Sequence, residues 1–272
     1  MRHPHQAAAL ILGEADNIIR KDEPNSLKLH RLWVTLAYLQ AHALANGIRH
    51  LIGDKVYSGP FKGMQLTPAA LTGAYAPALL GCYEWELHPI FEEAIHKTYK
   101  HILNIGCSFG YYSVGLALRM PDAAIHAFDI DEGARQKCAD MATLNGVADR
   151  VKIAGEFRGE DFASCPAAET LALVDIEGAE MQLLDPEKFP ALRKMDVIVE
   201  LHDVFNPAIS KTIRDRFASS HNLQLVHNQP LIVDLSKLVG GDSYIDPFDQ
   251  FLASWENRDG PTPWLVMKSK VK

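Results

Sequence analysis

The sequence predicts an α/β fold in which a doubly wound, mostly parallel sheet follows a mostly helical N-terminal extension. From His101 onwards, short apolar runs of strand type alternate with helical segments, which is the pattern of consecutive βαβ units. Before residue 100, the apolar side chains recur mainly at helical spacing. We therefore expect two parts, an extension over 1–99 and a sheet domain over 100–272.

The sheet is predicted to have five parallel strands, and two later apolar runs add strands at its edge. The segments between the first strands are long enough to be crossover helices, over 111–120 and 132–144. The parallel strands are predicted at 102–105, 124–128, 151–154, 171–174 and 197–201, and the edge strands at 223–226 and 264–267.

The extension is predicted to contain two helices and one small hairpin. An amphipathic helix is expected over 27–46, with Ser26 as its N-cap and Gly47 as its end. The aromatic and β-branched residues of 56–64 surround a Gly-Pro turn, which predicts two short strands. The second helix is expected over 85–95.

The charge and cysteine content exclude several classes of protein. The 272 residues carry a formal net charge of −7, from 34 acidic and 27 basic residues. Because no run of Lys or Arg could follow a phosphate backbone, nucleic acid is not expected as a substrate. The four cysteines form no CxxC pair and no metal-knuckle spacing, so we expect reduced, packed thiols.

The apolar segments are too short to place the protein in a membrane. The run at 7–12 stops at Glu14-Ala15-Asp16, which argues against a signal peptide. No segment approaches the roughly 20 apolar residues that a spanning helix needs. The sequence therefore predicts a cytoplasmic protein without a membrane partner, and it leaves homo-oligomerisation open.

The ends of the first two strands carry the residues of a nucleotide-type site. Gly106-Cys107-Ser108-Phe109-Gly110 follows the first strand and leads into a helix, so two glycines allow a tight turn and a close approach of ligand to backbone. Asp129 ends the second strand about 20 positions later, a spacing that suits a carboxylate accepting hydrogen bonds from ribose hydroxyls.

Two further polar residues follow the fourth and fifth strands. Parallel strands deliver their carboxyl ends to one edge of the sheet, where open α/β folds bind ligands. Asp175 and His202 should therefore lie at the same edge as the glycine loop and Asp129. Taken singly, Asp175 could instead be a helix N-cap and His202 a hydrogen-bonded core histidine.

The stretch 102–203 resembles the class I S-adenosylmethionine-dependent methyltransferases, and within them the FkbM-type family. The glycine loop resembles the first motif of that family, and Asp129 its ribose-binding acid. The other matching stretches are Asn145-Gly146, the "DxEGxE" segment Val174-Asp175-Ile176-Glu177-Gly178-Ala179-Glu180, and Glu200-Leu201-His202. The resemblance implies a Rossmann-like methyltransferase fold with a seven-stranded sheet, and S-adenosyl-L-methionine as the cofactor.

The resemblance also implies which residues bind the cofactor. Its methionine end would lie against the loop 104–110, its ribose on Asp129, and its adenine near the third strand. Asn104 stands where the family usually has a carboxylate. The expected cofactor residues are Tyr83, Glu84, Asn104, Gly106, Ser108, Gly110, Asp129, Ile130, Glu156, Phe157 and Asp175.

The family resemblance favours O-methylation of a hydroxyl of a sugar or another small metabolite. A hydroxyl hardly ionises at neutral pH, so a base is useful, and His202 is the first candidate and Asp175 the second. The extension is expected to supply a lid and part of the acceptor pocket. No metal is predicted, although Asp175, Glu200 and Asp203 could offer oxygen ligands.

Competing interpretations start from the same glycine loop. Gly106-Cys107-Ser108-Phe109-Gly110 also fits G-x-S-x-G, the nucleophile elbow of α/β-hydrolases, with a triad completed by Asp175 or Asp203 and by His227 or His202. The helical extension argues against it, since that elbow needs several strands before it. A non-catalytic cofactor-binding module is the third interpretation. A loop of the form GxxxG disfavours an NAD-dependent dehydrogenase.

Overall fold

A computed structural model of the chain describes residues 4–67, 74–97, 99–239, 245–258 and 260–271. Its strands form one seven-stranded sheet in the order β3-β2-β1-β4-β5-β7-β6, in which β1 to β5 are parallel and β7 is antiparallel to both of its neighbours. The strands are β1 His101–Ile105, β2 Ala124–Phe128, β3 Val151–Ala154, β4 Thr170–Val174, β5 Asp196–Glu200, β6 His221–Val226 and β7 Trp264–Ser269.

Helices precede the sheet and connect its strands. Several are short, and 3-10 turns complete the connections from β3 to β4 and from β4 to β5. The α-helices are α1 Pro4–Arg20, α2 Asn25–Ile52, α3 Tyr75–Leu80, α4 His88–His96, α5 Tyr111–Arg119, α6 Glu132–Leu144, α7 Glu180–Leu183, α8 Ile209–Phe217, α9 Ser236–Val239 and α10 Pro247–Ala253. None of the described helices is long and apolar enough to cross a bilayer.

The structure confirms the predicted fold class, and the sheet is buried as a doubly wound sheet should be. Every residue of β4 and β5 is buried, because helical segments cover both faces of the sheet. One core cluster combines residues of these strands with Ile209, Ile213 and Phe217 of α8. Burial of such apolar side chains stabilises the fold by about 1.5–3 kcal/mol each.

Three local predictions about the extension were wrong. The helix predicted over 27–46 continues through Gly47 and ends only at Gly53, whose φ of +75° and N–H bond to Arg49 O (2.8 Å) close the last turn. It is Pro24, not Ser26, that stands at the N-cap, and no side chain caps this end. The predicted hairpin at 56–64 is a turn-rich loop closed by a single bridge between Lys55 and Gln65.

Backbone contacts divide the chain into two compact units, at places other than the predicted boundary between 99 and 100. One unit comprises the described residues of Met1–Gly53, Thr72–Pro77 and Leu231–Asn257. The other comprises those of Asp54–Leu71, Ala78–Pro230 and Arg258–Lys272, and it contains the whole sheet. The segment with α9 and α10 therefore groups with the N-terminal helices.

Candidate functional site

The glycine loop after β1 packs directly on the end of β4. Gly106 has a φ of +86°, and a Cβ at this position would lie 1.6 Å from the carbonyl oxygen of Asp175. Its N–H donates to Phe128 O at 2.8 Å, and the Asp175 N–H donates to Ile105 O at 2.9 Å. Only glycine fits here, and this close approach joins the carboxyl ends of β1, β2 and β4.

Asp129 lies at the carboxyl end of β2, where two backbone donors hold its carboxylate. The Ser108 N–H donates to Oδ2 at 2.8 Å, and the Asp131 N–H donates to Oδ1 at 2.9 Å. Ser108 has a φ of +47°, so the loop turns its N–H towards β2 at the cost of a left-handed backbone. The acid predicted to bind ribose is therefore fixed against the glycine loop.

A cavity of about 590 Å³ opens at this edge of the sheet. Six of the predicted site residues line it, namely Gly106, Asp129, Ile130, Glu156, Phe157 and Asp175. Ile130 is 82% exposed, so its side chain offers apolar surface to a ligand in the cavity. The other residues that line the cavity are Ile105, Phe128, Gly155, Arg158, Gly159, Ile176, Glu177, Ala179, Gln182 and Leu183.

Several predicted cofactor residues lie outside the lining of this cavity. The Asn104 amide is 2% exposed and donates to Ser113 Oγ at 2.7 Å, so it ties β1 to α5. Gly110 is the N-cap of α5 with a φ of +91°, and a Cβ at this position would lie 2.9 Å from Cys138 Sγ. The Tyr83 ring packs edge-on against Tyr111. Glu84 and Ser108 are likewise absent from the lining, and so is His202, the predicted base.

The hydrolase interpretation finds no triad in the described part of the chain. Ser108 is exposed, and no histidine hydrogen-bonds to its hydroxyl among the described residues. His202 is paired with a glutamate instead. Asp203 accepts hydrogen bonds from the backbone and hydroxyl of Ser210.

Asp175 joins the cavity to a group of buried charges behind it. Its side chain is 30% exposed, yet its Oδ1 is buried and has no hydrogen-bond partner in the described structure. Burial, together with the negative charges of Glu200 and Glu84, raises the pKa of Asp175 well above its ordinary value. A carboxyl of this kind binds a proton more readily than an ordinary aspartate does.

His202 is 3% exposed and oriented by a glutamate that the sequence analysis did not single out. Its Nδ1 lies 2.6 Å from Oε1 of Glu180, so a protonated Nδ1 donates to this carboxylate. Nε2 then faces three carboxylates, those of Glu177 at 3.5 Å, Glu200 at 3.6 Å and Asp175 at 3.7 Å. Burial opposes the charge on the imidazole, but the Glu180 hydrogen bond and the negative charges of Glu200, Glu180 and Glu177 raise the pKa of His202.

A half-buried arginine links two buried glutamates from distant parts of the chain. Arg258 Nη2 donates to Glu84 at 2.8 Å, and its Nη1 donates to Glu200. Thr262 Oγ1 donates to Glu200 at 2.6 Å, and Tyr112 OH donates to Glu84. No sequence motif marked Arg258 or Thr262, whereas Glu180 stood within the quoted "DxEGxE" segment.

Three side chains at this end of the sheet have the spacing of a cation site. Asp175, Glu200 and His202 each place one ligand atom within 4.8 Å of the others. Oxygen ligands with one imidazole would suit a hard divalent cation. Asp203, considered as a ligand from the sequence, is instead engaged by Ser210 at the start of α8.

No protein-family model matches the chain, and no curated protein matches it. Similar solved structures include the O-methyltransferase TomG from Streptomyces achromogenes, with 15% identity over 76% of this chain and 91% of that chain and a TM-score of 0.49. Cofactor-bound Rv0187 from MTB has 10% identity, 92% and 100% coverage and a TM-score of 0.46. Precorrin-6y C5,15-methyltransferase from Geobacter metallireducens has 12% identity, 66% and 89% coverage and a TM-score of 0.46. Similarity at this level does not fix an activity, since one fold hosts many.

Proposed function

We propose that this chain is an S-adenosylmethionine-dependent methyltransferase of the FkbM type that methylates a hydroxyl of a sugar or another small metabolite. The observation that carries the proposal is that Gly106, Asp129 and Asp175 line one cavity. Gly106 follows β1, Asp129 follows β2 and Asp175 follows β4, and these three parallel strands are neighbours in the sheet. This is the edge at which open α/β sheets bind nucleotide-type ligands.

The dimensions and donors of the cavity suit a cofactor with an adenosine part. Small-molecule sites usually have volumes of roughly 300–1,000 Å³, and this one is about 590 Å³. Each Asp129 oxygen accepts one backbone N–H, and a carboxylate has about four acceptor sites, so ribose hydroxyls can still donate to it. Ile130 and Phe157 offer apolar surface for adenine, with Glu156 as an acceptor beside them.

The methionine end would lie against Gly106 and reach towards Asp175. Gly106 lines the cavity, and its close packing on the Asp175 carbonyl holds the glycine loop next to the end of β4. The bound cofactor supplies the methyl group and its own leaving group, so the chain has to orient the acceptor and take up a proton.

Two residues are proposed to take the proton of the acceptor hydroxyl. His202 is the first candidate, because Glu180 holds its Nδ1 and leaves Nε2 facing Asp175 and Glu177, which both line the cavity. Since His202 is buried, the proton would reach it through one water or through Asp175. Asp175 is the second candidate, because it lines the cavity and its raised pKa makes it a stronger base.

Calorimetric titration tests the cofactor part of the proposal. We expect S-adenosylmethionine or its demethylated product to bind at one per chain, and NAD not to bind. Asp129→Ala should weaken the binding by about 1.5–3 kcal/mol, roughly 10- to 150-fold, because it removes charge-assisted hydrogen bonds to ribose. The matched control is Asp122→Ala, which changes an exposed carboxylate at the other end of β2. Binding of NAD alone, or full affinity in the Asp129 variant, would contradict the proposal.

Single-turnover methyl transfer tests the base, with sugar and metabolite hydroxyls as acceptors. His202→Ala should slow transfer by roughly two to four powers of ten and leave the cofactor affinity nearly unchanged. If His202 is only a structural residue, the variant will instead lose thermal stability without a specific effect on transfer. If Asp175→Asn abolishes transfer and His202→Ala does not, Asp175 is the base. Addition of EDTA to the wild-type protein in the same assay detects any dependence on a divalent cation.

A further inference from the structure

A second group of metal-ligating side chains lies near the other end of the sheet. His101 is the first residue of β1, and His126 of β2 is paired in register with Leu103. Alternate residues of a strand share a face, and paired residues of parallel strands do too, so both imidazoles project from the face that carries Leu103. Cys165 belongs to the core cluster packed against that face.

The three side chains converge on a small volume. One ring nitrogen of each histidine and the Cys165 Sγ all lie within 4.8 Å of one another. The His101 and His126 rings are 5.8 Å apart between centroids, and Cys165 Sγ is 3.9 Å from His126 Nε2. Ligand atoms around a tetrahedral zinc ion are about 3.5 Å apart, so a modest rotation of these side chains would close the set.

The existing contacts leave this group incompletely satisfied. His101 Nδ1 is buried and has no hydrogen-bond partner among the residues that the structure describes. A buried polar atom without a partner costs about 1–3 kcal/mol. The contact between Cys165 and His126 is at most a weak thiol hydrogen bond, and it leaves that His101 nitrogen unpaired. A metal ion bound at this nitrogen would provide the missing partner.

The group is separate from the proposed methyl-transfer site. His101 begins β1, whereas Gly106 follows its carboxyl end. Five residues of extended strand span about 16 Å, so one ion could not serve both sites. None of the three ligand residues lines the cavity at the carboxyl edge.

We propose that His101, His126 and Cys165 bind a divalent transition-metal ion of the zinc type, with water as the fourth ligand. A thiolate and two imidazoles favour zinc or cobalt over magnesium or calcium. The bound ion would attach the segment at Cys165 to β1 and β2. Binding releases the thiol proton to solvent and changes no oxidation state.

Cobalt titration of the full, chelator-treated protein tests this site directly. We expect one equivalent of Co²⁺ to give visible bands of tetrahedral intensity and a near-ultraviolet thiolate-to-cobalt charge-transfer band, both abolished by Zn²⁺. Cys165→Ser should remove the charge-transfer band. His101→Gln and His126→Gln should each weaken binding at least tenfold, since each removes one of three protein ligands.

Matched variants show whether the signal comes from this site. Cys82→Ser and His96→Gln change a thiol and an imidazole elsewhere, and both should keep the full spectrum. His202→Ala should also keep it, because a cation held by Asp175 and Glu200 has no thiolate ligand. Zn²⁺ should raise the melting temperature of the wild type and not that of Cys165→Ser. The proposal is wrong if no charge-transfer band appears, or if the band survives Cys165→Ser or both histidine variants.

Discussion

At Gly106 the backbone leaves no room for a side chain. Gly106→Ala would place a methyl group against the Asp175 carbonyl and force a left-handed backbone on alanine. We expect a loss of about 3 kcal/mol or more in the free energy of unfolding, the sum of overpacking and conformational strain. Chemical denaturation measures it, and cofactor affinity should fall in parallel because the loop must move.

Gly146 provides the matched control for this substitution. It has a similar φ of +68°, but a Cβ there would meet nothing within 4 Å. Gly146→Ala should therefore cost only the conformational term, about 1–2 kcal/mol. Equal losses in the two variants would mean that the contact between the glycine loop and β4 is not tight in solution.

The residues at the strand ends were predictable, and their partners were not. Asp129 and Asp175 could be placed at one edge because parallel strands all end there, whatever the details of packing. Arg258 lies 174 residues from Glu84, and nothing in the local sequence of either indicates this bond. Side-chain pairs of such separation depend on how loops close, which no periodicity encodes.

Among the elements, the five parallel strands were predicted to within one residue at each end. Their apolar runs are continuous because both faces of β4 and β5 are buried, and this signal is local. The helix α2 continues past its predicted end at Gly47, because a glycine inside a helix costs only about 1 kcal/mol. The sequence does not predict that β7 runs antiparallel to β5 and β6, since an apolar run looks the same in either direction.

The amino end of β5 contains a buried aspartate whose ionisation should stabilise the sheet. Asp196 accepts hydrogen bonds from Tyr99 OH at 2.5 Å and from the Ser269 N–H at 2.8 Å, and it forms an ion pair with Lys97. Burial opposes the charge, but these partners outweigh it and hold the pKa of Asp196 below its ordinary value. The folded state therefore binds the Asp196 proton less tightly than the unfolded chain does.

Stability should consequently fall in acid through this group. The contribution is complete above the unfolded pKa of about 3.9, and it is lost as the pH drops through the lower folded pKa. Asp196→Asn should lower the free energy of unfolding by about 1–3 kcal/mol at pH 7 and flatten its dependence on pH in acid. Urea denaturation at several pH values measures both effects. Asp149→Asn, at an exposed position, should reproduce the wild-type curve, and an unchanged slope in Asp196→Asn would refute the assignment.

At the scale of the whole molecule, the described helices and strands bury side chains of different size. The buried residues of α2 are mostly alanines, namely Ala37, Ala41 and Ala45 with Ile48, and one cluster joins Ala37 and Ala41 to Leu252. Large apolar side chains on α2 remain exposed, among them Trp33 at 63%. The sheet unit buries large side chains throughout β1, β4 and β5. Small buried side chains and large exposed ones on α2 mean a small free energy for its local opening.

Hydrogen exchange under native conditions should therefore separate the two units. We expect the amides of α2 to exchange by local opening, well before those of β4 and β5, which should require global unfolding. Mass spectrometry of peptides from α2 and β4 in the same sample makes the comparison internal. Equal protection of the two peptides would show that the helical unit is as stable as the sheet.

The strand order also determines when the sheet can be completed during synthesis. β6 joins the sheet only through β7, which lies later in the chain and pairs with β5 on its other side. As the protein emerges from the ribosome, amino terminus first, β1 to β5 can assemble while β6 still has no partner. The open edge of β5 is apolar and ready to accept a strand, so a nascent chain at this stage is exposed to pairing with its neighbours. The edge of β5 stays exposed until the stretch from Trp264 to Ser269 has left the ribosome and paired with it.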